Sequence, residues 1–223
     1  MLHNLFSYLP KTVQHEFRRL RYGIQIRQSS FKTTEFEYSL LDQWVKPGDW
    51  VLDIGANVGH YSLKLSELVG KSGRVLLFEP VPSTVDLLAS NISKAPYQNL
   101  SIFNVAVSDK TDLVGMEVPK SYAGGTSSNY YRAHISNDSS ELNTLSISIN
   151  SLNISHPISL AKIDVEGHEI SVLKGMENIL TRDFPILIVE GDSNEVNSYL
   201  VSLGYTSRRI QGSVNQIFEP VSP

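Results

Sequence analysis

The sequence predicts an α/β protein, with a mostly parallel sheet covered by helices on both faces. Three observations carry this. From residue 50 onward, short runs rich in Val, Ile and Leu alternate with stretches of helical periodicity. The stretch VLDIGANVGHYS, residues 51–62, reads as a strand, a glycine turn and the start of a helix. The last segment, GYTSRRIQGSVNQIFEP, reads as a hairpin turning at Gln211-Gly212, an antiparallel edge pair on a parallel sheet.

Residues 1–45 form an N-terminal helical arm, ended by Pro47-Gly48, and residues 46–223 form one domain. Within the arm, LPKTVQHEFRRLRYGI writes as a helix with Val13, Phe17, Leu20 and Ile24 on one face. That stripe is expected to pack on the domain or on a second subunit, as a homodimer through the arm. An anionic acceptor, carrier protein or lipid surface is the alternative. WVLDI (50–54), RVLLFE (74–79), LSIFNV (100–105), LAKIDV (160–165) and ILIVE (186–190) are short runs rich in Val, Ile and Leu and read as buried parallel strands. Helices are expected over 58–69, 83–94, 167–181 and 193–203. The exception is 106–159, rich in Ser, Asn and Gly and then alternating in TLSISINSL. It is read as an irregular loop with antiparallel strands, inserted before the fourth strand and shaping an acceptor pocket.

Composition narrows the function. The chain has 223 residues, 41% of them apolar, enough for one large domain with a substantial core. It has no cysteine, which excludes a disulfide scaffold, a thiol nucleophile and a thiolate zinc site. No apolar run is long enough to span a bilayer and no signal peptide is evident, so a cytoplasmic protein is expected. Residues 1–34 carry a net charge of +5 and the remainder −9. An acidic body of this kind is not expected to bind nucleic acid.

The glycine loop reads D-x-G-x-N-x-G through Asp53, Gly55, Asn57 and Gly59, with Ala56 between. A dinucleotide fingerprint would place a second glycine where Asn57 stands, and would not place a carboxylate at the strand end against a pyrophosphate. Asp53 repels phosphate and attracts ammonium. S-adenosylmethionine has an amino-acid end, a ribose and an adenine but no phosphate, and it fits this loop. Glu79 ends the second strand, 24 residues after Gly55, where its two oxygens can accept ribose hydroxyls. The plain alternative is a tight strand-to-helix turn with Asp53 capping the helix.

VLDIGANVGHYS, LFEPVPSTVDLLASNI and LAKIDVEGHEISVLKGMENIL, in that order, resemble the FkbM-type methyltransferases, and the resemblance covers about residues 33–205. It implies a Rossmann-like class I methyltransferase fold with a seven-stranded sheet. It also implies S-adenosylmethionine as cofactor and O-methylation of a hydroxyl on a sugar or natural product. Carried over by motif, Asp53, Gly55, Asn57, Gly59 and Glu79 would form the cofactor site, with Asn104 to Ala106 beside the adenine. The family usually shows Leu-Asp before the fourth strand; here Asn150 stands at the Asp position.

KIDVEGHEI sets Asp164 at the end of the fourth strand with Glu166 and His168 in the following turn, and Glu190 ends the fifth. An alcohol must lose its proton to become a methyl acceptor, which calls for a base or a metal. Three readings stand open. The acids simply decorate a helix N-terminus. Alternatively His168 or Glu166 is the general base, its pKa raised if Glu166 and Glu169 lie close. In the third, Asp164, Glu190 and a third acid or His168 hold Mg²⁺ against the acceptor oxygen. An NAD-linked oxidoreductase or epimerase, and a catalytically silent cofactor- or partner-binding domain, are the competing functions. Tyr122, Tyr130, Tyr131, Arg132 and His134 are candidates for contact with a small-molecule or glycan acceptor.

Overall fold

A computed structural model describes residues 9–117, 133–135 and 142–221. The chain opens with α1 (Lys11–Arg27), a 3₁₀ turn (Phe36–Leu40) and the short α2 (Leu41–Trp44). Then follow β1 (Trp50–Ile54), α3 (His60–Val69), β2 (Arg74–Phe78), α4 (Pro82–Ile92) and β3 (Leu100–Phe103). A second group comprises β4 (Ala106–Val107), β5 (Asp112–Glu117), β6 (His134–Ile135) and β7 (Leu142–Ile147). The chain closes with β8 (Ile158–Ile163), α5 (Glu169–Gly175), α6 (Glu177–Arg182), β9 (Ile186–Glu190), α7 (Asn194–Ser202), β10 (Tyr205–Arg209) and β11 (Asn215–Pro220).

The seven-stranded sheet has the order β10-β11-β9-β8-β1-β2-β3. Strands β1, β2, β3, β8 and β9 are parallel, and β11 and β10 add an antiparallel edge. The chain builds outward from β1 through β2 and β3, then returns to the other side of β1 with β8. The order therefore reverses between β1 and β8, and a crevice opens beyond their carboxyl ends.

Alternation along each strand divides the core. Leu52, Ile54, Leu76, Phe78, Ala161 and Ile163 face a layer containing Val172, Leu173 and Ile179. Val51, Val75, Leu77 and Leu160 face Leu41, Tyr61, Leu65 and Leu88 on the other side. Pro82 opens α4, where its fixed φ and missing N–H cost nothing.

The structure departs from expectation at one helix and at one strand end. The single helix expected over 167–181 is two, α5 and α6, breaking at Met176. Gly175 lies against the backbone of residue 108 so closely that a Cβ would sit 2.0 Å from Ser108 O. The third strand stops at Phe103, because Asn104 turns its amide to the carbonyls of Glu79 (2.9 Å) and Pro80 (3.0 Å). The antiparallel strands expected between 106 and 159 are present as β5, β6 and β7, and β4, parallel to β7, completes a second, four-stranded sheet.

The arm is fastened at two points. Tyr22 of α1 is buried with Phe31, their rings 5.4 Å apart, against Val58, Leu63 and Leu87. Glu37 is fully buried and accepts from Ser213 Oγ (2.8 Å) and from the Asn215 amide, which ties the arm to the C-terminal hairpin. The stripe of Val13, Phe17, Leu20 and Ile24 does not pack on the domain as expected; all four side chains are exposed, and the helix is held by its other face.

Candidate active site

The glycine turn brings β1 and β8 together at their ends. Gly55 has φ +79°, and a Cβ there would lie 1.8 Å from Asp164 O, so only glycine allows this approach. Asn57 also takes a left-handed conformation, φ +49°, a region asparagine tolerates. Its N–H points to Glu79 Oε2 at 3.0 Å, and the N–H of Val81 donates to Oε1 at 2.9 Å. Each Glu79 oxygen keeps one lone pair for a ligand. Burial pushes the Glu79 carboxyl up to about 7, against the pull of those two N–H groups.

Two cavities meet at this turn and share Gly55, Asn57 and Asp164. The larger runs past Phe78, Glu79, Val105 and Ala106 to the Asp164–His168 turn and Glu190. Met116 of β5 and His134 of β6 line it too, so the second sheet supplies one wall. The Asn104 side chain does not line it, and Gly59 lines neither cavity. Gly59 instead starts α3 at φ +93°, where a Cβ would press to 2.8 Å from Leu88 Cδ1. Tyr122, Tyr130, Tyr131 and Arg132 lie outside the described residues.

The smaller cavity is lined by Ala56, Asp53, Tyr61 and Lys162, and by Thr33 and Glu35 from the arm. Asp53 does not cap α3. It is fully buried and accepts from Ser62 Oγ at 2.6 Å, while its other oxygen, Oδ1, has no hydrogen-bond partner. Asp53 and Lys162 are register partners on β1 and β8, so their side chains share a face. Lys162 also donates to Asp164 Oδ2 at 2.8 Å, and its ammonium lies 4.9 Å from the Tyr61 ring centre. Burial opposes charge on Lys162, but Asp164 and Asp53 outweigh it and raise its pKa. Glu35 accepts from the Tyr61 hydroxyl at 2.6 Å.

On the far side, Asp164, Glu166 and Glu190 can bring three carboxylate oxygens within 4.8 Å of one another. Burial alone would raise Asp164, yet the Lys162 ammonium and a hydrogen bond from Glu190 hold it below the ordinary carboxylate range. Burial, that hydrogen bond and the Asp164 charge push Glu190 up to about 8. The pair thus favours charge on Asp164 and a proton on Glu190. His168 stands at the start of α5, its Nε2 2.9 Å from Ser108 Oγ. Its expected rise in pKa does not occur: burial lowers it, outweighing Asp109 and Glu169, and Glu166 is not among its perturbers. Asn150 lies away from both cavities and accepts from the N–H of Asn178 at 3.2 Å, the turn-forming use open to Asp or Asn alike.

Sequence reasoning missed Lys162, Glu35 and Tyr61. Lys162 left a readable trace, a lysine inside an apolar strand and two residues from Asp164, hence on the same face. Its pairing with Asp53 required the β1–β8 register, and Glu35 required the path of the arm.

Comparison with known proteins accords with this geometry. The Methyltransferase FkbM domain family matches residues 53–207. The hexuronic acid methyltransferase AglP of Haloferax volcanii is 29% identical over 144 residues, 63% of this chain and 55% of that protein. The protein-L-isoaspartate O-methyltransferase of Methanococcus aeolicus is 34% identical over 58 residues, 26% of this chain and 27% of that one. The chain thus spans about half, or less, of the length of these relatives. Among solved structures, an FkbM methyltransferase from Methylobacillus flagellatus superposes with a TM-score of 0.60 at 15% identity, covering 97% of this chain and 57% of the other. The fibrillarin of Aeropyrum pernix, solved with S-adenosylmethionine natively bound, superposes at 0.52 and 13% identity, covering 82% and 72%. These structures share the class I methyltransferase fold, and the family match extends over most of the sequence: the chain belongs to the FkbM methyltransferase family.

Proposed function

We propose that the protein is an S-adenosylmethionine-dependent O-methyltransferase acting on a hydroxyl of a sugar or natural-product acceptor. The observation that carries this is the pair of cavities meeting at the Gly55–Asn57 turn, each with a buried carboxylate of its own, Asp53 in one and Glu79 in the other. The Asp53 carboxylate repels a phosphate and suits an ammonium; Glu79 suits a ribose diol, a contact that a dinucleotide site shares, so Asp53 and the Asn57 turn make the distinction. The buried Asp53 Oδ1, without a partner, is a ready acceptor in the smaller cavity. Asp53 and Glu35 would hold the amino-acid end, Glu79 the ribose, and Val105 and Ala106 the adenine. Asn104 would act by pinning the ends of β2 and β3 beneath them.

The bound cofactor supplies a sulfonium methyl that an acceptor oxygen displaces in line. This chain must place that oxygen and take its proton. Asp164, held ionised by Lys162, faces the larger cavity and can accept a hydrogen bond from the hydroxyl. His168, kept neutral by burial, is available as the base, with Ser108 fixing its ring. Met116 and His134 would wall the acceptor, which gives the 106–159 region a part in acceptor choice.

A second reading rests on the convergence of Asp164, Glu166 and Glu190, which could hold Mg²⁺ against the acceptor oxygen. The metal-free reading is favoured because Lys162 already pairs with Asp164 at 2.8 Å, so one of the three carboxylates has a cation of its own. Transfer of a labelled methyl from S-adenosylmethionine to a panel of glycans in excess EDTA distinguishes the two. Full turnover is expected; loss in EDTA with recovery on Mg²⁺ establishes the metal reading, and no transfer to any hydroxyl acceptor, with or without Mg²⁺, removes the proposed reaction.

A further inference from the structure

We infer that α1 is a docking element that lays the protein on an anionic lipid surface. The helix is mounted on the body by one face. Gln14 and Tyr22 are buried there, His15 Nε2 lies 2.6 Å from Asp86 Oδ2, and Arg19 reaches the same carboxylate at 3.0 Å. The opposite face carries the apolar residues. Val13 is 39% exposed, Leu20 64% and Ile24 54%. At 100° per residue, these three and Phe17 fall within an arc of about 60°. Leucine and isoleucine this exposed at helical spacing are not scattered surface residues, since they form one continuous stripe.

The charge around the stripe decides the occupant. Arg21 and Arg27 are exposed and border it on either side. Residues 1–34 carry net +5, while the rest of the chain carries −9. A second copy would bring two cationic arms together around the shared apolar seam. An anionic headgroup layer instead meets Arg21 and Arg27 with opposite charge, while Val13, Leu20 and Ile24 enter the acyl boundary. The acidic body is repelled from such a surface, so the arm alone touches it. The mode is in-plane docking, because no described helix is long and apolar enough to cross a membrane. The site lies close to the chemistry: after α1 the chain runs through Phe31, stacked 4.2 Å from His60, to Thr33 and Glu35 in the smaller cavity.

The test is co-sedimentation of the full chain with vesicles of phosphatidylcholine alone, or with about one-third phosphatidylglycerol, at low and high salt. Binding is expected to the anionic vesicles only, and to weaken with salt. Arg21→Glu with Arg27→Glu should lower the partition coefficient by roughly tenfold or more, and Leu20→Glu with Ile24→Glu should abolish binding. These positions are exposed, so melting temperature should stay at the wild-type value, and light scattering should give a monomer in the absence of vesicles. Failure of the wild type to bind anionic vesicles overturns the inference. So does undiminished binding by the Leu20/Ile24 variant, or a dimer that this variant splits.

Discussion

Asp53 and Glu79 are both buried acids at strand ends, but they are prepared for different partners. Asp53 has one oxygen satisfied by Ser62 and one left over. Glu79 already accepts one N–H on each oxygen. If they hold the two ends of S-adenosylmethionine, Asp53→Ala and Glu79→Ala should each weaken binding by about ten- to a hundredfold, about 1.5–3 kcal/mol, measurable by calorimetry. His168 is assigned to the acceptor rather than the cofactor. His168→Ala should therefore lower kcat by roughly 10²–10⁴ with cofactor affinity nearly unchanged. A base must be unprotonated, and burial depresses this imidazole. The acid limb of the kcat–pH profile should accordingly fall below the ordinary histidine value of about 6.5, and a limb at or above that value would remove His168 from the role. Asp53, Glu79, Asp164 and His168 were legible because strand-end acids and a histidine in a turn announce themselves locally. Lys162 was legible only in part, since its partner Asp53 lies 109 residues away in sequence and only the β1–β8 pairing joins them.

At the scale of elements, the crevice depends on how closely β1 and β8 approach. Asp164 N–H donates to Ile54 O at 3.0 Å, and Gly55 fills the remaining space with backbone alone. Gly55→Ala combines a strained φ with a Cβ driven into the Asp164 carbonyl. It should destabilise the fold by about 3 kcal/mol or more, lowering Tm by about 6–12 °C, as thermal unfolding would show. Gly167, with the same sign of φ but nothing within 4 Å of its Cβ position, should cost less when changed to Ala. The five parallel strands, the helices between them and the hairpin could be read from apolar runs and turn residues. Of the second sheet, antiparallel strands were readable from the alternating TLSISINSL, but β4 and β6, with two residues each, are too short for any periodicity to register. The break at Met176 arises from a long-range contact, Gly175 against Ser108, and a helical pattern carries no mark of it.

For the whole molecule, the buried acids link folding to pH. Glu79 at about 7 and Glu190 at about 8 bind protons more tightly when folded than when unfolded. The unfolded chain releases these protons near the usual value of about 4.3. Between there and about pH 8 the folded state holds more protons, so stability contributed by these groups is present at the acid end and lost as pH rises. Asp164 has the opposite sign, but its depressed pKa moves its effect below this window. His60 and His168, both depressed by burial, have the opposite sign and offset this loss below the ordinary histidine value of about 6.5. Tm is therefore expected to decline from about pH 6.5 to 8, and Glu190→Gln, which keeps a donor toward Asp164, should flatten that decline; an unchanged slope would mean that Glu190 is not protonated in the folded protein. The net charges of arm and body, +5 and −9, were plain in the sequence, but which face of α1 is buried was not, because the buried face is made of Gln14, Tyr22 and half-buried polar residues rather than of the apolar stripe.

The central claim is that the Gly55–Asn57 turn and its two cavities are built for S-adenosylmethionine rather than for a dinucleotide. Isothermal titration of the full chain with S-adenosylmethionine and with NAD tests it most directly. Binding of S-adenosylmethionine in the micromolar range with no measurable heat for NAD is the predicted result; tight NAD binding with none for S-adenosylmethionine would contradict it.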